Sequence, residues 1–351
     1  MKSIGLLGSK KTKILFLLPE DIKKNISQEI NIFVVENYGQ KLGISDHEYS
    51  KVGCKIAKKE EILKKCDILL KVECFTKKEL KIASNKTIIT LVNFLNNVKM
   101  LEYCLYYNIS SFQWICLFDS KQKKYTLFNE LQIIKNDYVL ATLNKMKNEM
   151  INVKNILIFN YSSYACKLAQ VLLKNNYNVT IVANISYPIN VEKEIIEVTT
   201  NLAKEKNLKF VVVNYDVEKI SSWLSHYQCI ISLPIKPGIK SSWNIVSDNT
   251  LKCQKKSLFI DLSAENGISF IFAKTTTKFD RPKKINKCFY LVPPNVNDFY
   301  PKLSSEIISK WTAYNLNNFV DKQKHLNYLN LCVTKNKKTV NTYIKEKLNI
   351  Y

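Results

Sequence analysis

Short apolar runs alternate with amphipathic stretches along most of the chain. In the first third, KSIGLL (2–7), NIFVVE (31–36), CKIA (54–57), DILLKV (67–72), KTIITLV (86–92) and ISSFQWI (109–115) are rich in β-branched and aromatic residues and predict strands. The segments between them carry charge on one face. PEDIKKNISQ (19–28), SDHEYSKVG (45–53), KKEEILKKC (58–66), TKKELKIAS (76–84) and VKMLEYCLYYN (98–108) predict helices. Pro19 suits a first helical turn, where its missing N–H is no loss. Ser45 followed by Glu48 forms a capping-box pattern, and Gly53 is a natural stop. Leu131, Ile134, Tyr138, Leu140, Leu143, Met146 and Met150 make one apolar stripe, which predicts a long helix over 131–150. A second alternating run follows. NILIF (155–159), NVTIV (178–182), KFVVV (209–213), QCIIS (228–232), SLFIDL (257–262) and CFYLV (288–292) predict strands, with helices over 164–175, 191–206 and 216–226. A helix over 303–320 precedes a Lys/Asn-rich tail holding Leu326, Leu329, Val333, Tyr343 and Leu348, which either packs as an extra helix or stays mobile. Strands alternating with helices imply parallel sheets, hence an α/β fold. The expected division is one domain from 1–130 plus about 303–351, and a second from 131–302.

Composition narrows the partners. With 351 residues, 46% of them hydrophobic, the chain can build two real cores. Its formal charge is +23, but the cations are lysines spread along the whole length, and Arg281 is the only arginine. Base-reading proteins rely on arginine forks and on basic residues gathered into patches. The charge therefore reads as a residue-usage bias rather than a nucleic-acid surface. No two of the ten cysteines have C-x-x-C spacing and there are three histidines, at 47, 226 and 325, so no metal site is expected. Cys66, Cys104, Cys116, Cys166 and Cys229 sit among apolar neighbours and read as buried thiols of a reducing compartment. The apolar runs are too short to span a bilayer, and the N-terminus is too weakly apolar for a secretory signal. The expectation is a soluble, cytoplasmic protein with no membrane partner.

The stretch NILIFNYSSYACKLAQVLLKNNYNVTIV (155–182) has the strand–turn–helix–strand outline of a dinucleotide-binding unit. Such units use a glycine-rich turn, because only glycine allows both the tight bend and the close approach of a pyrophosphate. Here no glycine occurs between 54 and 237, and the turn reads Phe159-Asn160-Tyr161-Ser162-Ser163-Tyr164. Ser162 and Ser163, at the start of the predicted helix, are the candidate anion-binding groups that remain.

The segments LPEDI, ENYGQKLGISDHEYSKVGCKIAKKEEILKKCDILLKV, FIDLSAENG and FYLVPPNVNDFYPKLSSE resemble the alanine dehydrogenase and transhydrogenase family, and in particular its N5-(carboxyethyl)ornithine synthases. GQKLGISDHEYSKVG is the most specific of these, and the resemblance runs from residue 1 to about 320. It implies two Rossmann-like domains around a cleft, the first of them discontinuous, with one long helix leaving it and another returning. It implies reductive condensation of a keto acid with an amino acid, using NADPH or NADH. The partners so implied are those small molecules and a further copy of the chain as a homo-oligomer. Lys71 takes the place of a substrate-binding lysine, where an ammonium pairs with a keto-acid carboxylate or polarises its carbonyl. Asn93 stands where the family has a proton-donating histidine; an amide can hydrogen-bond a carbonyl but cannot titrate near neutral pH. The substrate-binding arginine corresponds to Ile14. Glu265 takes the place of an aspartate near the nicotinamide, while Asp261 is an alternative that orients backbone. Gly238, in LPIKPGIK, falls in a cofactor-side loop. The fingerprint glycines correspond to Phe159, Tyr161 and Tyr164, and the ribose-binding acid to Ala183.

Three functions follow as expectations. The first is a divergent NAD(P)H-dependent amino-acid or opine oxidoreductase with impaired or altered catalysis and weakened cofactor binding. The second is a pseudoenzyme that binds a small molecule or a protein on the same scaffold. The third, carried by net charge alone, is a basic nucleic-acid-binding module.

Overall fold

A computed structural model describes residues 2–116, 118–119, 124–148, 152–184, 207–213, 223–234, 251, 256–264, 269–270, 272–276, 282–320 and 332–349. The chain divides into two compact units, one made of Met1–Leu117, Tyr125–Leu131 and Tyr300–Tyr351, the other of Phe118–Lys124 and Gln132–Phe299.

The first unit is built on strands β1 (Ser3–Leu6), β2 (Asn31–Val35), β3 (Lys55–Ala57), β4 (Ile68–Lys71), β5 (Thr87–Thr90) and β6 (Ser110–Gln113). They lie in the order β3-β2-β1-β4-β5-β6, all parallel, which is the doubly wound order with its reversal between β1 and β4. Helix Lys59–Lys65 presses Ile62 against β1, where a Cβ on Gly5 would collide with the Ile62 side chain, so this packing needs glycine. The expected capping box is formed: the Ser45 N–H donates to Glu48 Oε2 at 2.7 Å, and the Glu48 N–H to the Ser45 hydroxyl at 3.4 Å.

The apolar run Ile14–Leu18 is buried without being a strand, so side chains satisfy its backbone. The Leu15 N–H donates to Ser305 Oγ at 2.9 Å, the Phe16 N–H to Tyr38 OH at 2.8 Å, and the Leu18 N–H to Ser309 Oγ at 2.7 Å. Ser305 and Ser309, one turn apart on helix Pro301–Val320, thereby fix the returning helix to this segment.

The tail packs as the expected extra helix, but a β-hairpin that was not expected comes before it. Strands β16 (Cys332–Lys335) and β17 (Lys338–Thr339) form a hairpin, and β16 pairs antiparallel with β6 at the sheet edge. Helix Thr342–Leu348 follows, placing Ile344 with Val333 in the unit's core. Leu326 and Leu329 lie outside the described residues.

A two-stranded ribbon, β7 (Phe118–Asp119) with β8 (Lys124–Tyr125), precedes helix Thr126–Asn148, which begins in the first unit and continues into the second from Gln132. That helix starts well before residue 131, because Leu127 and Phe128 extend its buried stripe upstream. The main sheet of the second unit has β9 (Asn155–Phe159), β10 (Asn178–Asn184), β11 (Leu208–Val213), β12 (Cys229–Ser232), β13 (Leu258–Asp261), β14 (Lys283–Ile285) and β15 (Cys288–Leu291). Their order is β11-β10-β9-β12-β13-β15-β14, parallel except for the edge strand β14, and the order reverses between β9 and β12. The expected helix over 191–206 lies outside the described residues. Among those described, no helix is long and apolar enough to cross a membrane. Cys66, Cys104, Cys166 and Cys229 are buried free thiols, and Cys116 is half-buried. Burial pushes the Cys66 and Cys104 thiols up to about 12.

Asparagine takes many of the positions that glycine holds elsewhere. Every described non-glycine residue with positive φ, apart from Lys337, is an asparagine. Asn carries a smaller left-handed penalty than other side chains because its short amide bonds locally. Asn176, with φ 63°, ends helix Ser163–Lys174: its N–H donates to the Leu173 carbonyl at 2.9 Å and the Tyr177 N–H to Leu172 at 3.2 Å. Asn176→Ala is expected to cost about 1 kcal/mol and Asn176→Gly to be neutral or slightly stabilising. Urea midpoints of the two variants check this ordering.

Candidate functional site

In the first unit the candidate residues lie at the carboxyl ends of the parallel strands, where open α/β sheets bind ligands. Lys71 is the last residue of β4, in register with Thr90 of β5, and is 2% exposed. A buried ammonium needs paired charge. Its Nζ donates to both Glu79 oxygens, at 3.1 and 3.0 Å, and to the Cys74 carbonyl at 2.9 Å, and it lies 3.3 Å from Glu73 Oε1. Glu79 is held from three further sides. It accepts from the Thr76 N–H at 2.6 Å as half of a second capping box, its own N–H reaches Thr76 Oγ1 at 3.2 Å, and it pairs with Lys59. Burial raises the Glu79 pKa, but the Lys59 ammonium, the Thr76 N–H and Lys71 outweigh it and hold the carboxyl below its ordinary value. Lys71 is thus neutralised from within the fold.

Asn93 follows β5 and caps the short turn Phe94–Asn96, its Oδ1 accepting from the Leu95 N–H at 3.0 Å. Its Nδ2 is buried and has no partner among the described residues. The amide therefore keeps a hydrogen-bond donor at the edge that also carries Lys71, but not a proton that titrates near neutrality. Ile14, where the resemblance implies an arginine, is 4% exposed in the buried run described above, and offers no charge.

In the second unit the reversal between β9 and β12 is where a dinucleotide pyrophosphate would sit against a glycine turn. Phe159 ends β9 and is fully buried. Asn160 takes φ 79°, and its side-chain amide donates to the Leu233 carbonyl across the reversal, beside a 3.3 Å bond from the Leu233 N–H to the Phe159 carbonyl. Tyr161 packs edge-on against Phe210 at 5.9 Å. Ser162 caps the helix by accepting from the Ala165 N–H at 3.1 Å, while Ser163 and Tyr164 are buried in its first turn. The backbone thus makes the tight bend with asparagine, and the three positions where the resemblance implies glycine carry rings, Phe159 and Tyr164 buried and Tyr161 packed on Phe210. These residues do not fit the usual pyrophosphate cradle. Ala183 is buried and carries no group for a ribose hydroxyl.

Asp261, at the end of β13, is fully buried and does orient backbone. Its Oδ1 accepts from the Ser263 N–H at 2.9 Å and from the Ser263 hydroxyl at 2.5 Å, and its Oδ2 from the Ser269 N–H at 2.6 Å. Ser269 extends the network to Ser232 on β12, 2.7 Å away. Gly238 and Glu265 lie outside the described residues. Among the described residues no cluster of His, Cys, Asp or Glu has the makings of a metal site.

Sequence reasoning missed Glu73, Glu79 and Asn160. Glu79 had a signal, the T-x-x-E pattern of Thr76–Glu79. Asn160 had one in its residue type, and Glu73 had none.

Residues 15–152 match the family described as alanine dehydrogenase/PNT, N-terminal domain. The chain is 50% identical over 56 residues to N(5)-(carboxyethyl)ornithine synthase of Clostridium botulinum, a match covering 16% of each protein. It is similar in fold to an L-alanine dehydrogenase, with TM-score 0.82 and 12% identity over 99% of both chains. A transhydrogenase from Sinorhizobium meliloti gives TM-score 0.74 and 13% identity over 97% of this chain and 100% of that one. A dipicolinate synthase from Bacillus halodurans gives TM-score 0.52 and 12% identity, over 90% of this chain and 97% of that one.

Proposed function

We propose that this chain, whose residues 15–152 match the alanine dehydrogenase/PNT N-terminal-domain family, is a divergent amino-acid oxidoreductase of alanine dehydrogenase type, with impaired or altered catalysis. Its ancestral reaction, as the resemblance implies, is the NAD(P)H-dependent condensation of a keto acid with an amino acid; the Clostridium botulinum relative is named for making N(5)-(carboxyethyl)ornithine. In this reading Lys71 holds the keto-acid carboxylate or carbonyl, Asn93 Nδ2 donates a hydrogen bond to that carbonyl, and Glu265 supplies a carboxylate. Ser162, Ser163 and Gly238 are what remains of the cofactor side. NAD(P)H would supply a hydride, and no residue described here compensates for the glycine-free turn after β9.

The bridge from Asn160 to Leu233 carries the impaired-catalysis reading. Removing one acid–base or oxyanion-type group typically lowers rates by about 10²–10⁴, and here several such groups differ together. Calorimetric titration with NADPH and NADH tests it, followed by NADPH and NADH oxidation with pyruvate and either ornithine or lysine. Cofactor binding weaker than micromolar, with slow turnover, is expected, whereas no binding at millimolar cofactor and no turnover would favour the second reading below. The second reading is a non-catalytic scaffold that binds a small molecule or a protein. The internal neutralisation of Lys71 by Glu79 favours it, since a substrate would have to compete with a fixed carboxylate.

A further inference from the structure

The loop after β1 is organised around a carboxylate that comes from the protein itself. Glu73 Oε2 accepts from the Ser9 hydroxyl at 2.7 Å and from the Lys11 N–H at 3.3 Å. Glu73 Oε1 accepts from the Lys10 N–H at 3.2 Å and lies 3.3 Å from Lys71 Nζ. Both carboxylate oxygens thus meet two donors each. The carbonyls of the same loop point the other way: Lys41 Nζ donates to the Ser9 carbonyl at 2.8 Å and to the Lys10 carbonyl at 3.1 Å. Successive N–H groups turned to one side form a nest suited to an anion. A hydroxyl and an ammonium complete this one.

Glu73 and Glu79 share Lys71 but are held differently. The Glu79 side chain is 4% exposed and locked by the capping box, whereas that of Glu73 is 19% exposed and bonds to this loop and Lys71. Glu73 has a way out to solvent. When it leaves, Ser9, Lys10 and Lys11 keep their donors aimed at one place, and Lys41 still holds the loop from behind.

We propose that Ser9, Lys10 and Lys11, with Lys71, form a receptor for a small carboxylate, and that Glu73 is its tethered competitor. A ligand carboxylate binds by displacing Glu73 into solvent, so affinity in the native chain is set by that competition. The inference rests on the reading of Lys71 as a carboxylate-binding residue, but the site needs no nicotinamide, and its test stands apart from the cofactor titration.

The test is thermal unfolding of the full chain at pH 7 in sodium acetate against sodium chloride of equal ionic strength. Glu73→Ala vacates the receptor. Acetate is expected to raise its midpoint saturably, by roughly 2–4 °C over chloride at saturation. The wild-type chain, whose own carboxylate fills the site, is expected to show no acetate-specific rise. Adding Ser9→Ala to Glu73→Ala is expected to remove most of the rise. Glu73→Ser, whose short side chain also leaves the loop donors free, serves where alanine prevents folding, and the same acetate-specific rise is expected of it. Equal midpoints in acetate and chloride for the folded Glu73 variant overturn the proposal. So does an acetate effect as large in the wild-type chain as in the variant, because Glu73 would then not be the competitor.

Discussion

Removing residues 332–351 is expected to abolish cooperative folding of the first unit. The tail supplies β16 and β17, and its Val333 and Ile344 are 0% and 3% exposed within the core. Burying side chains of that size contributes about 1.5–3 kcal/mol each. The Thr334 hydroxyl, also fully buried, is 2.7 Å from Ser111 Oγ and 2.7 Å from the Ile109 carbonyl, so its loss orphans buried polar groups. Domain stability is typically only about 5–15 kcal/mol. Truncation also exposes β6 as a bare, buried-type edge, which invites pairing with other chains. Urea unfolding followed by far-UV circular dichroism, with light scattering for aggregation, checks this. A truncated chain that stays monomeric and unfolds at the wild-type midpoint would show that the tail is dispensable.

Glu79→Ala is expected to destabilise the first unit by about 3–5 kcal/mol, the usual cost of leaving a buried ion without its partner. The substitution leaves Lys71, which is 2% exposed, with Glu73 as its remaining carboxylate, and it removes the second capping box. Replacing both partners by apolar residues, Lys71→Met with Glu79→Leu, is expected to recover much of the loss, because no unpaired charge remains. The pH dependence has a defined sign. The Glu79 and Glu73 carboxyls are both held below the ordinary value of 4.5. Their contribution is complete above that pH and disappears as pH falls through the lower folded values. Stability of the wild-type first unit therefore declines below about pH 4.5, and Glu79→Ala flattens that decline. A loss under about 1 kcal/mol for Glu79→Ala at neutral pH would contradict the pairing described here.

Much of this fold was legible as period and punctuation. The parallel strands of both sheets are the apolar runs, because a parallel sheet covered on both faces requires continuous hydrophobic segments, whereas the antiparallel edge strands β14, β16 and β17 carry no such signal. Ile14–Leu18 is the instructive exception: it is as apolar as a strand, yet its N–H groups go to Ser305, Ser309 and Tyr38, contacts that no local pattern encodes. The tail hairpin turns at Asn336-Lys337, both with positive φ, and an asparagine there is a weaker signal than the Asn-Gly pair that usually marks such a turn.

Legibility was lower for the candidate site. The resemblance picks out Lys71 and Asn93 as residues of interest, but not that a carboxylate eight positions along the chain takes up the ammonium. The missing glycines after β9 were plain in the sequence. That Asn160 would supply the left-handed turn and then reach across to Leu233 depends on the approach of β12, a non-local fact.

The second unit has a doubly wound parallel sheet, and after β9 it carries Phe159, Tyr161 and Tyr164 where the resemblance implies glycines; the functional reading rests on that pairing above all. Calorimetric titration of the full chain with NADPH and NADH, in moderate salt to suppress nonspecific anion binding, tests it most directly. Binding weaker than micromolar is predicted for either cofactor. Saturable micromolar binding of either one would contradict that reading and return the chain to the cofactor-dependent enzymes.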